Sequence, residues 1–138
     1  MRQAGDILVV DDEIDIVNLV VEILQDEGYK VRSAFNGEMA LAAIAQQQPA
    51  IILMDMYMPQ MTGIMLLEHM RANGISDIPV VMMTASPRAA EPLLNMDLVD
   101  YLAKPFDIDQ LLQCVTRSLG RATATNTTFT TSESTPQS

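Results

Sequence analysis

Short runs of apolar residues alternate along the chain with segments in which apolar residues recur at helical spacing. Residues 7–10, 51–54 and 80–83 are continuous apolar runs, as expected of strands that are covered on both faces. After the first run, apolar residues recur every three or four positions up to Gly28, which is typical of an amphipathic helix. This alternation predicts βα units and a parallel sheet. The predicted strands span residues 7–10, 29–34, 51–54, 79–83 and 100–103.

Capping residues mark the starts of two further predicted helices. Asn36 can cap the second helix, and Asp107 with Gln110 has the spacing of a capping box at the start of the last helix. The fourth helix is harder to place, because Pro87 favours a helix start whereas Pro92 would fall inside the same helix and interrupt it. We therefore expect the fourth helix to be short or irregular.

The composition predicts a single acidic domain. The chain has 138 residues, 49% of them hydrophobic, which is enough for a full core. The net charge of −10 argues against a direct nucleic-acid surface, and no apolar run reaches the ~20 residues that a membrane span requires. Partners are therefore expected to be proteins and metal ions. The one cysteine, Cys114, forbids an internal disulfide and fits a reducing cytoplasm.

The last segment of the chain differs from the rest. From residue 121 onward it is dominated by Thr and Ser, with one aromatic residue, Phe129. Such a segment buries too little apolar surface to offset the entropy lost on ordering. We therefore predict one folded domain over residues 1–120 and a disordered Ser/Thr-rich tail over residues 121–138, which could equally be a linker to a further domain.

Polar residues follow the predicted strands where each strand ends. Asp11 and Asp12 follow the first strand, Asp55 the third, Thr84 the fourth and Lys104 the fifth. The carboxyl ends of parallel strands meet at one sheet edge, where open α/β folds place their sites. Carboxylates ~4 Å apart repel by several kcal/mol at an intermediate dielectric, and Mg²⁺ is the least demanding compensation. This pattern predicts a site for Mg²⁺ and phosphoryl chemistry.

Each of these residues also has a plainer interpretation. Asp11 and Asp12 could simply stabilise the following helix by interacting with the positive end of its dipole. Asp55 could be a nucleophile that forms an acyl phosphate, or a metal ligand without covalent chemistry. Lys104 could pair with a phosphoryl oxygen or only with Asp55, and the Thr84 hydroxyl could be a local cap. The joint occurrence at four strand ends favours the phosphoryl site.

The chain resembles the receiver domain of bacterial two-component response regulators over residues ~5–120. The resemblance implies a flavodoxin-like, doubly wound α/β fold with five helices and a parallel sheet of order 2-1-3-4-5. It also implies a protein of stand-alone, chemotaxis-regulator type. The motifs that carry it are VVDDE at 9–13, LMDMYMP at 53–59 with Gly63, MTA at 83–85 and YLAKPF at 101–106.

The resemblance also implies a ligand set. Asp55 would accept a phosphoryl group from a phosphohistidine on a histidine kinase or a histidine phosphotransfer protein. Asp12, Asp55 and the backbone carbonyl of Tyr57 would bind Mg²⁺ directly, with Asp11 acting mainly through a bound water. We further hypothesise that the bulk of Tyr57 hinders the water that would hydrolyse the acyl phosphate.

A switch is the other implication. Thr84 and Lys104 would hold the product phosphoryl group, and their movement would let Tyr101 turn inward. Phosphorylation would thereby bias two conformations and change a surface that binds a downstream protein target. The segment before the fifth strand departs from the family, because it is short and has Met96-Asp97-Leu98-Val99 where a Gly-Ala pair is common.

Two other functions compete with a stand-alone switch. The chain could be the receiver module of a longer transcription regulator whose output domain lies outside it. A haloacid-dehalogenase-like aspartyl-phosphate phosphatase is less favoured, because Met56-Tyr57 follow Asp55 where that class has a second acid two residues on. We therefore expect a phosphorylation-controlled switch that assists its own phosphorylation and dephosphorylation, and no enzyme with a separate substrate.

Overall fold

The computed structural model describes residues 6–96 and 98–126 of the chain, with side chains described up to residue 120. Five strands alternate with five helices, as the alternation of apolar patterns predicts. The strands are β1 (Ile7–Val10), β2 (Val31–Ala34), β3 (Ile51–Asp55), β4 (Val80–Thr84) and β5 (Val99–Ala103). The helices are α1 (Ile14–Asp26), α2 (Gly37–Gln46), α3 (Gly63–Ala72), α4 (Pro87–Ala90) and α5 (Ile108–Asn126).

The strands form one parallel sheet in the order β2-β1-β3-β4-β5. The three inner strands β1, β3 and β4 are buried at every position, which explains why they appear in the sequence as unbroken apolar runs. In the register of β1 with β3, Val10 lies opposite Met54, so the residues that follow reach the sheet edge together. The predicted doubly wound fold and strand order are confirmed.

Two apolar layers cover the sheet, one on each face. On one face α2 and α3 pack against alternate strand residues, and on the other face α1 and α5 do so. Methionines take much of the space that aromatic side chains fill elsewhere, since Met54, Met70 and Met82 lie among the fully buried residues. Both faces are therefore occupied, and the carboxyl edge of the sheet is left as the place for polar chemistry.

The predicted caps form as the sequence indicates. The Asn36 side chain accepts a 2.8 Å hydrogen bond from the Met39 backbone at the start of α2. At the start of α5, Asp107 Oδ1 accepts from the Gln110 N–H at 2.8 Å, and Gln110 Oε1 accepts from the Asp107 N–H at 2.9 Å. These reciprocal bonds make the capping box.

The fourth helix is short and irregular, as predicted. α4 covers only Pro87–Ala90, and a 3-10 helix over Glu91–Asn95 continues it. Pro92 lies in the first turn of that 3-10 helix, where the missing N–H has no helical partner to lose. The conflict between Pro87 and Pro92 is thus resolved by changing the helix type between them.

Several predicted boundaries differ from the structure. β3 ends at Asp55, β4 spans Val80–Thr84 and β5 begins at Val99, each one residue from the prediction. Two further differences are larger. β2 begins at Val31 and not at residue 29, because the Tyr29 N–H donates to Leu24 O and so belongs to the end of α1. α5 continues through Asn126, so residues 121–126 are helical, whereas the sequence predicts a disordered tail from residue 121. The rest of that predicted tail, 127–138, lies outside the described residues. Within the described ranges, none of the helices combines the length and apolar character that crossing a membrane requires.

Candidate functional site

The carboxyl edge of the sheet collects the polar residues of four strands. Asp11 follows β1 directly, Asp55 and Thr84 are the last residues of β3 and β4, and Lys104 follows β5. In the sheet, β1 has β2 on one side and β3 on the other, so the strand order reverses at β1. A crevice forms at such a reversal of strand order, and Asp11 and Asp55 lie on either side of it.

Three carboxylates cluster in this crevice. Asp11, Asp12 and Asp55 each offer a side-chain oxygen, and these oxygens lie within 4.8 Å of one another. Asp11 is fully buried and Asp55 is 7% exposed, while Asp12 faces solvent. The cluster therefore has a buried floor and an open side through which an ion and a phosphoryl donor could enter.

Lys104 provides the positive charge that faces these acids. Its Nζ lies 3.1 Å from Asp11 Oδ2, 3.3 Å from Asp55 Oδ1 and 3.9 Å from Glu13 Oε1. Burial opposes the charged form of Lys104, but the hydrogen bonds and charges of Asp11 and Asp55 outweigh it and raise the pKa of the amine. Lys104 thus stays protonated between the two carboxylates.

Lys104 neutralises this site only in part. Burial raises the pKa of Asp55 above its ordinary value, and repulsion from Asp11 raises it further, although Lys104 acts in the opposite direction. Three carboxylates and one ammonium leave a formal charge of −2 in the crevice. A divalent cation would balance that charge.

The donor set fits Mg²⁺. This ion prefers oxygen ligands at 2.0–2.1 Å, so ligands on opposite sides of it are about 4.2 Å apart. Adjacent ligands are closer, at about 2.9 Å, so oxygens that lie within 4.8 Å of one another have to move inward to surround one ion. The acidic cluster could therefore bind a metal ion of this kind, with Lys104 beside it.

Two further predicted site residues, Thr84 and Tyr101, have local partners. Thr84 is fully buried, and its hydroxyl accepts from the Ser86 N–H at 2.9 Å and lies 3.2 Å from Ser86 O, to which it donates. Tyr101 is half-buried and packs against the core layer of α2 and α3. The structure thus brings Asp11, Asp12, Asp55 and Lys104 together, while Thr84 and Tyr101 contact neighbouring elements.

Two features of the site were not anticipated from the sequence. The alternatives predicted for Lys104 are a phosphoryl oxygen and Asp55, yet the shorter ion pair is with Asp11. The exposed side chain of Glu13 also approaches the lysine, although Glu13 is not among the predicted site residues. The acidic run at 11–13 was the available signal, but its pattern does not say which oxygen meets the amine.

The fold and the site together define a flavodoxin-like α/β domain with an acidic, lysine-paired crevice at its switch point. The family profile described as the response regulator receiver domain matches residues 7–116, so the chain belongs to that family. Receiver domains accept phosphoryl groups from histidine kinases and act as phosphorylation-controlled switches in two-component systems. The resemblance carried by the four sequence motifs is confirmed.

Relatives with similar sequences are regulators of greater length. The nitrogen assimilation regulatory protein NtrX of Azorhizobium caulinodans is 37% identical over 120 residues, which are 84% of this chain and 26% of that protein. The DNA-binding dual master transcriptional regulator RpaA of Synechocystis is 35% identical over 118 residues, 83% of this chain and 49% of that protein. The chain thus spans about a quarter to a half of these relatives.

Solved structures of separate receiver domains match almost end to end. The receiver domain of NtrX from Brucella abortus superposes with a TM-score of 0.77 at 36% identity, covering 83% of this chain and 98% of that one. The chemotaxis protein CheY4 of Vibrio cholerae gives a TM-score of 0.77 at 32% identity, covering 84% of this chain and 99% of that one. These neighbours have the receiver fold over most of the described residues.

Proposed function

We propose that Asp55 accepts a phosphoryl group from a phosphohistidine on a partner histidine kinase or histidine phosphotransfer protein. The observation that carries this proposal is the cluster of Asp11, Asp12 and Asp55 with the Lys104 amine beside it. A carboxylate can attack phosphorus, and the remaining groups of the cluster can balance the charge that accumulates there.

The transfer conserves atoms and charge in a simple way. A carboxylate oxygen of Asp55 forms a bond to phosphorus, the phosphorus–nitrogen bond of the phosphohistidine breaks, and the imidazole nitrogen keeps that electron pair. The product is an acyl phosphate on Asp55 and a histidine in the donor. In-line placement of the attacking oxygen and charge stabilisation account for most of the catalysis of such transfers.

Mg²⁺, when bound, would neutralise charge on the transferring group. Asp12, Asp55 and the backbone carbonyl of Tyr57 would hold it directly, and Asp11 would hold it mainly through a water molecule. The amine of Lys104 is already 3.3 Å from Asp55 Oδ1, so a small movement would pair it with a phosphoryl oxygen on that carboxylate. The Lys104–Asp11 pair would keep the amine in the crevice meanwhile.

Thr84 would provide the second contact with the product. Its hydroxyl now donates to Ser86 O, and it would exchange this 3.2 Å bond for a bond to a phosphoryl oxygen. Ser86 is the residue directly before α4, so the exchange would loosen the connection between β4 and α4. Tyr101 pairs with Met82 of β4 and would turn further inward as this connection moves, which would change the surface offered to a protein target.

We also propose two ways in which the whole protein could pass on the phosphorylation signal. A stand-alone switch would act on a downstream protein through the surface near Tyr101, without direct nucleic-acid contact or membrane insertion. A receiver module of a longer transcription regulator is favoured by relatives such as RpaA, of which the chain spans 49%. A cytoplasmic location fits both alternatives, since Cys114 is a free, buried cysteine. A phosphatase remains disfavoured by Met56-Tyr57 after Asp55.

Incubation with acetyl phosphate and Mg²⁺, followed by intact mass measurement, tests this function. The wild-type protein should gain one phosphoryl group, and Asp55→Asn should gain none. Asp26→Asn, which changes an exposed carboxylate at the end of α1, is the matched control and should be labelled like wild type. Labelling of Asp55→Asn, or of wild type equally well in excess EDTA, would contradict the proposal.

A further inference from the structure

Gly63 packs directly against the main chain that carries Asp55. A Cβ atom built on Gly63 would lie 2.6 Å from the Asp55 carbonyl oxygen, 3.1 Å from Met56 Cα and 3.0 Å from Met82 Sδ. Real Cβ atoms essentially never come closer than 3.0 Å to such neighbours. The missing side chain of Gly63 therefore lets the first residue of α3 lie against the carboxyl end of β3.

Hydrogen bonds hold the same stretch of main chain from two sides. The Gly63 N–H donates to Met56 O at 2.9 Å, and the Met56 N–H donates to Met83 O at 2.9 Å. α3 itself is fixed by the Thr62 cap at 3.1 Å from Met65 N and by its buried face. The peptide between Asp55 and Met56 is thus clamped between β4 and the start of α3.

We infer that Gly63 is a positioning residue, which sets the place of Asp55 and Tyr57 in the crevice through close contact with the main chain between them. This inference rests on the proposed function of the site. Two proposed Mg²⁺ ligands, the Asp55 carboxylate and the Tyr57 carbonyl, belong to the residues directly before and after Met56. A displacement of that peptide therefore moves the Asp55 carboxylate and the Tyr57 carbonyl at the same time.

The displacement that an alanine would cause can be bounded. The Asp55 carbonyl oxygen and the new carbon would have to separate by about 0.8 Å, from 2.6 Å to the 3.4 Å of ordinary contact. Backbone on both sides of the contact leaves no flexible side chain to absorb this change. Mg²⁺ demands near-ideal octahedral geometry, and misplacements of about 1 Å in a reacting group lower rates by about 100-fold.

Gly37 gives a matched comparison at the same edge of the sheet. It is the first residue of α2, as Gly63 is of α3, and both are buried. A Cβ atom on Gly37 would meet the Met61 side chain, most closely at Sδ and at 3.0 Å from Cβ and Cγ, and would meet no backbone atom among its nearest neighbours. The closest atom belongs to the flexible end of a methionine side chain, and the 3.0 Å contacts need only a few tenths of an ångström of movement, so Gly37→Ala should leave the crevice in place.

The test compares Gly63→Ala with two control variants. Mg²⁺ affinity is measured by calorimetric titration with MgCl2, and the labelling rate is measured with acetyl phosphate. Gly63→Ala should weaken Mg²⁺ binding about tenfold and slow labelling by about tenfold or more, with a native circular dichroism spectrum. Gly37→Ala should match wild type in both. Thr62→Ala, which removes the cap of α3 without touching Asp55, should lower thermal stability but leave Mg²⁺ affinity unchanged.

Wild-type affinity and rate in a folded Gly63→Ala protein would overturn the inference, and so would an equal loss of affinity in Thr62→Ala. If Gly63→Ala does not fold alone, it is combined with Gly120→Ala, which adds a helix former where the new carbon has nothing within 4 Å. If this double variant also fails to fold, the inference is overturned, because it requires a folded protein with a displaced site. If the wild-type protein is not labelled, the proposed function is rejected instead. The Mg²⁺ affinities of wild type and Gly63→Ala would still test the positioning role of Gly63.

Discussion

The Nζ atom of Lys104 lies 3.1 Å from Oδ2 of Asp11, a carboxylate with no exposed surface. The two residues are 93 positions apart in the sequence, so their pairing joins the end of β5 to the end of β1 across the crevice. A buried carboxylate is tolerated only with a partner of this kind. The ion pair therefore has a structural role in the absence of metal, besides its proposed role toward a phosphoryl group.

Lys104→Met should make the protein less stable when Mg²⁺ is absent. The substitution keeps most of the aliphatic stem but leaves Asp11 unpaired, which should lower the free energy of unfolding by about 2 kcal/mol. Urea denaturation in EDTA measures this loss. Saturating Mg²⁺ should recover part of it, because the cation offers a second partner to the same acids.

Lys30→Met is the control for that experiment, since Lys30 is exposed just before β2. Its free energy of unfolding should stay within about 0.5 kcal/mol of wild type. Equal stability of Lys104→Met and Lys30→Met in EDTA would show that Asp11 does not depend on the lysine.

Asp55→Asn should stabilise the metal-free protein at neutral pH. Burial and then Asp11 raise the pKa of Asp55 above its ordinary value of 3.8, so the folded chain binds this proton more tightly than the unfolded chain. For such an acid the free energy of unfolding falls as pH rises from 3.8 through the raised pKa. The asparagine does not titrate, and the variant should therefore be more stable than wild type at pH 7.

Urea denaturation between pH 3 and pH 8 in EDTA measures the difference in the free energy of unfolding between Asp55→Asn and wild type. The stability advantage of Asp55→Asn should shrink as the pH is lowered toward 3.8, where the wild-type carboxyl becomes protonated in both states. The control is again Asp26→Asn, at an exposed position. A variant that is less stable than wild type at pH 7 would contradict the sign of this effect.

Strand-end residues of this chain show what a sequence pattern can and cannot establish about the site. Unbroken apolar runs require coverage on both faces, so β1, β3 and β4 and their edge could be predicted, together with the placement of Asp11, Asp55 and Lys104. Which acid meets the lysine depends on side-chain rotamers and on sub-ångström backbone positions. Those are set by three-dimensional packing, which a one-dimensional pattern does not contain.

The predicted start of β2 and the predicted end of α5 were wrong for a related reason. Tyr29 has the β propensity of a strand residue, yet its N–H closes the end of α1 beside Gly28, whose φ of 94° lies in the left-handed region. The Thr- and Ser-rich composition after residue 120 predicts a loss of order, whereas α5 continues to Asn126. Composition averages over a window, but a helix ends at the particular residue where its hydrogen bonding stops.

Gln60→Gly should stabilise the loop between β3 and α3. The Met61 N–H donates to Pro59 O at 2.7 Å across Gln60, whose φ is 72°, so these residues form a tight three-residue turn with positive φ at its centre. Such turns are strained for residues with a Cβ, and glycine relieves the strain at this exposed position. The free energy of unfolding should rise by about 0.5 kcal/mol, as measured by thermal and urea denaturation.

Gln48→Gly is the comparison for this turn, since it changes the same side chain at another exposed loop position where no positive φ is present. There glycine should only loosen the unfolded chain and lower the free energy of unfolding by about 0.5–1 kcal/mol. The interpretation of Gln60 as strained would be wrong if both substitutions destabilised the protein equally.

Cys114 should react slowly with thiol reagents in the folded protein. Burial, followed by the charge of Asp100, raises the pKa of this thiol from 9.0 to about 11, and the side chain is 1% exposed. At pH 8 little thiolate is present, and iodoacetamide should label the native chain far more slowly than the chain in guanidinium. Comparable labelling rates in the two states would show that α5 opens readily.

The same pKa has a consequence for stability at alkaline pH. An acid with a raised pKa in the folded state stabilises that state only while it is protonated, so its contribution is lost as pH rises from 9.0 through about 11. Relative to Cys114→Ala, wild type should therefore lose up to about 2 kcal/mol across that window. Urea denaturation of both proteins at several pH values isolates this change from other titrating groups.

Tyr57→Ala should shorten the lifetime of the phosphorylated state. Tyr57 follows Asp55 by two residues, it is 58% exposed, and its backbone nitrogen lies 3.5 Å from Asp55 Oδ1, so its main chain lies beside the carboxylate. If the bulk of Tyr57 hinders the water that would attack the acyl phosphate, as we hypothesise, its removal should speed hydrolysis about two- to tenfold. The decay of the phosphorylated mass after removal of acetyl phosphate gives the rate. Tyr57→Phe keeps the bulk and should decay like wild type, whereas an unchanged or longer lifetime in Tyr57→Ala would refute the steric explanation.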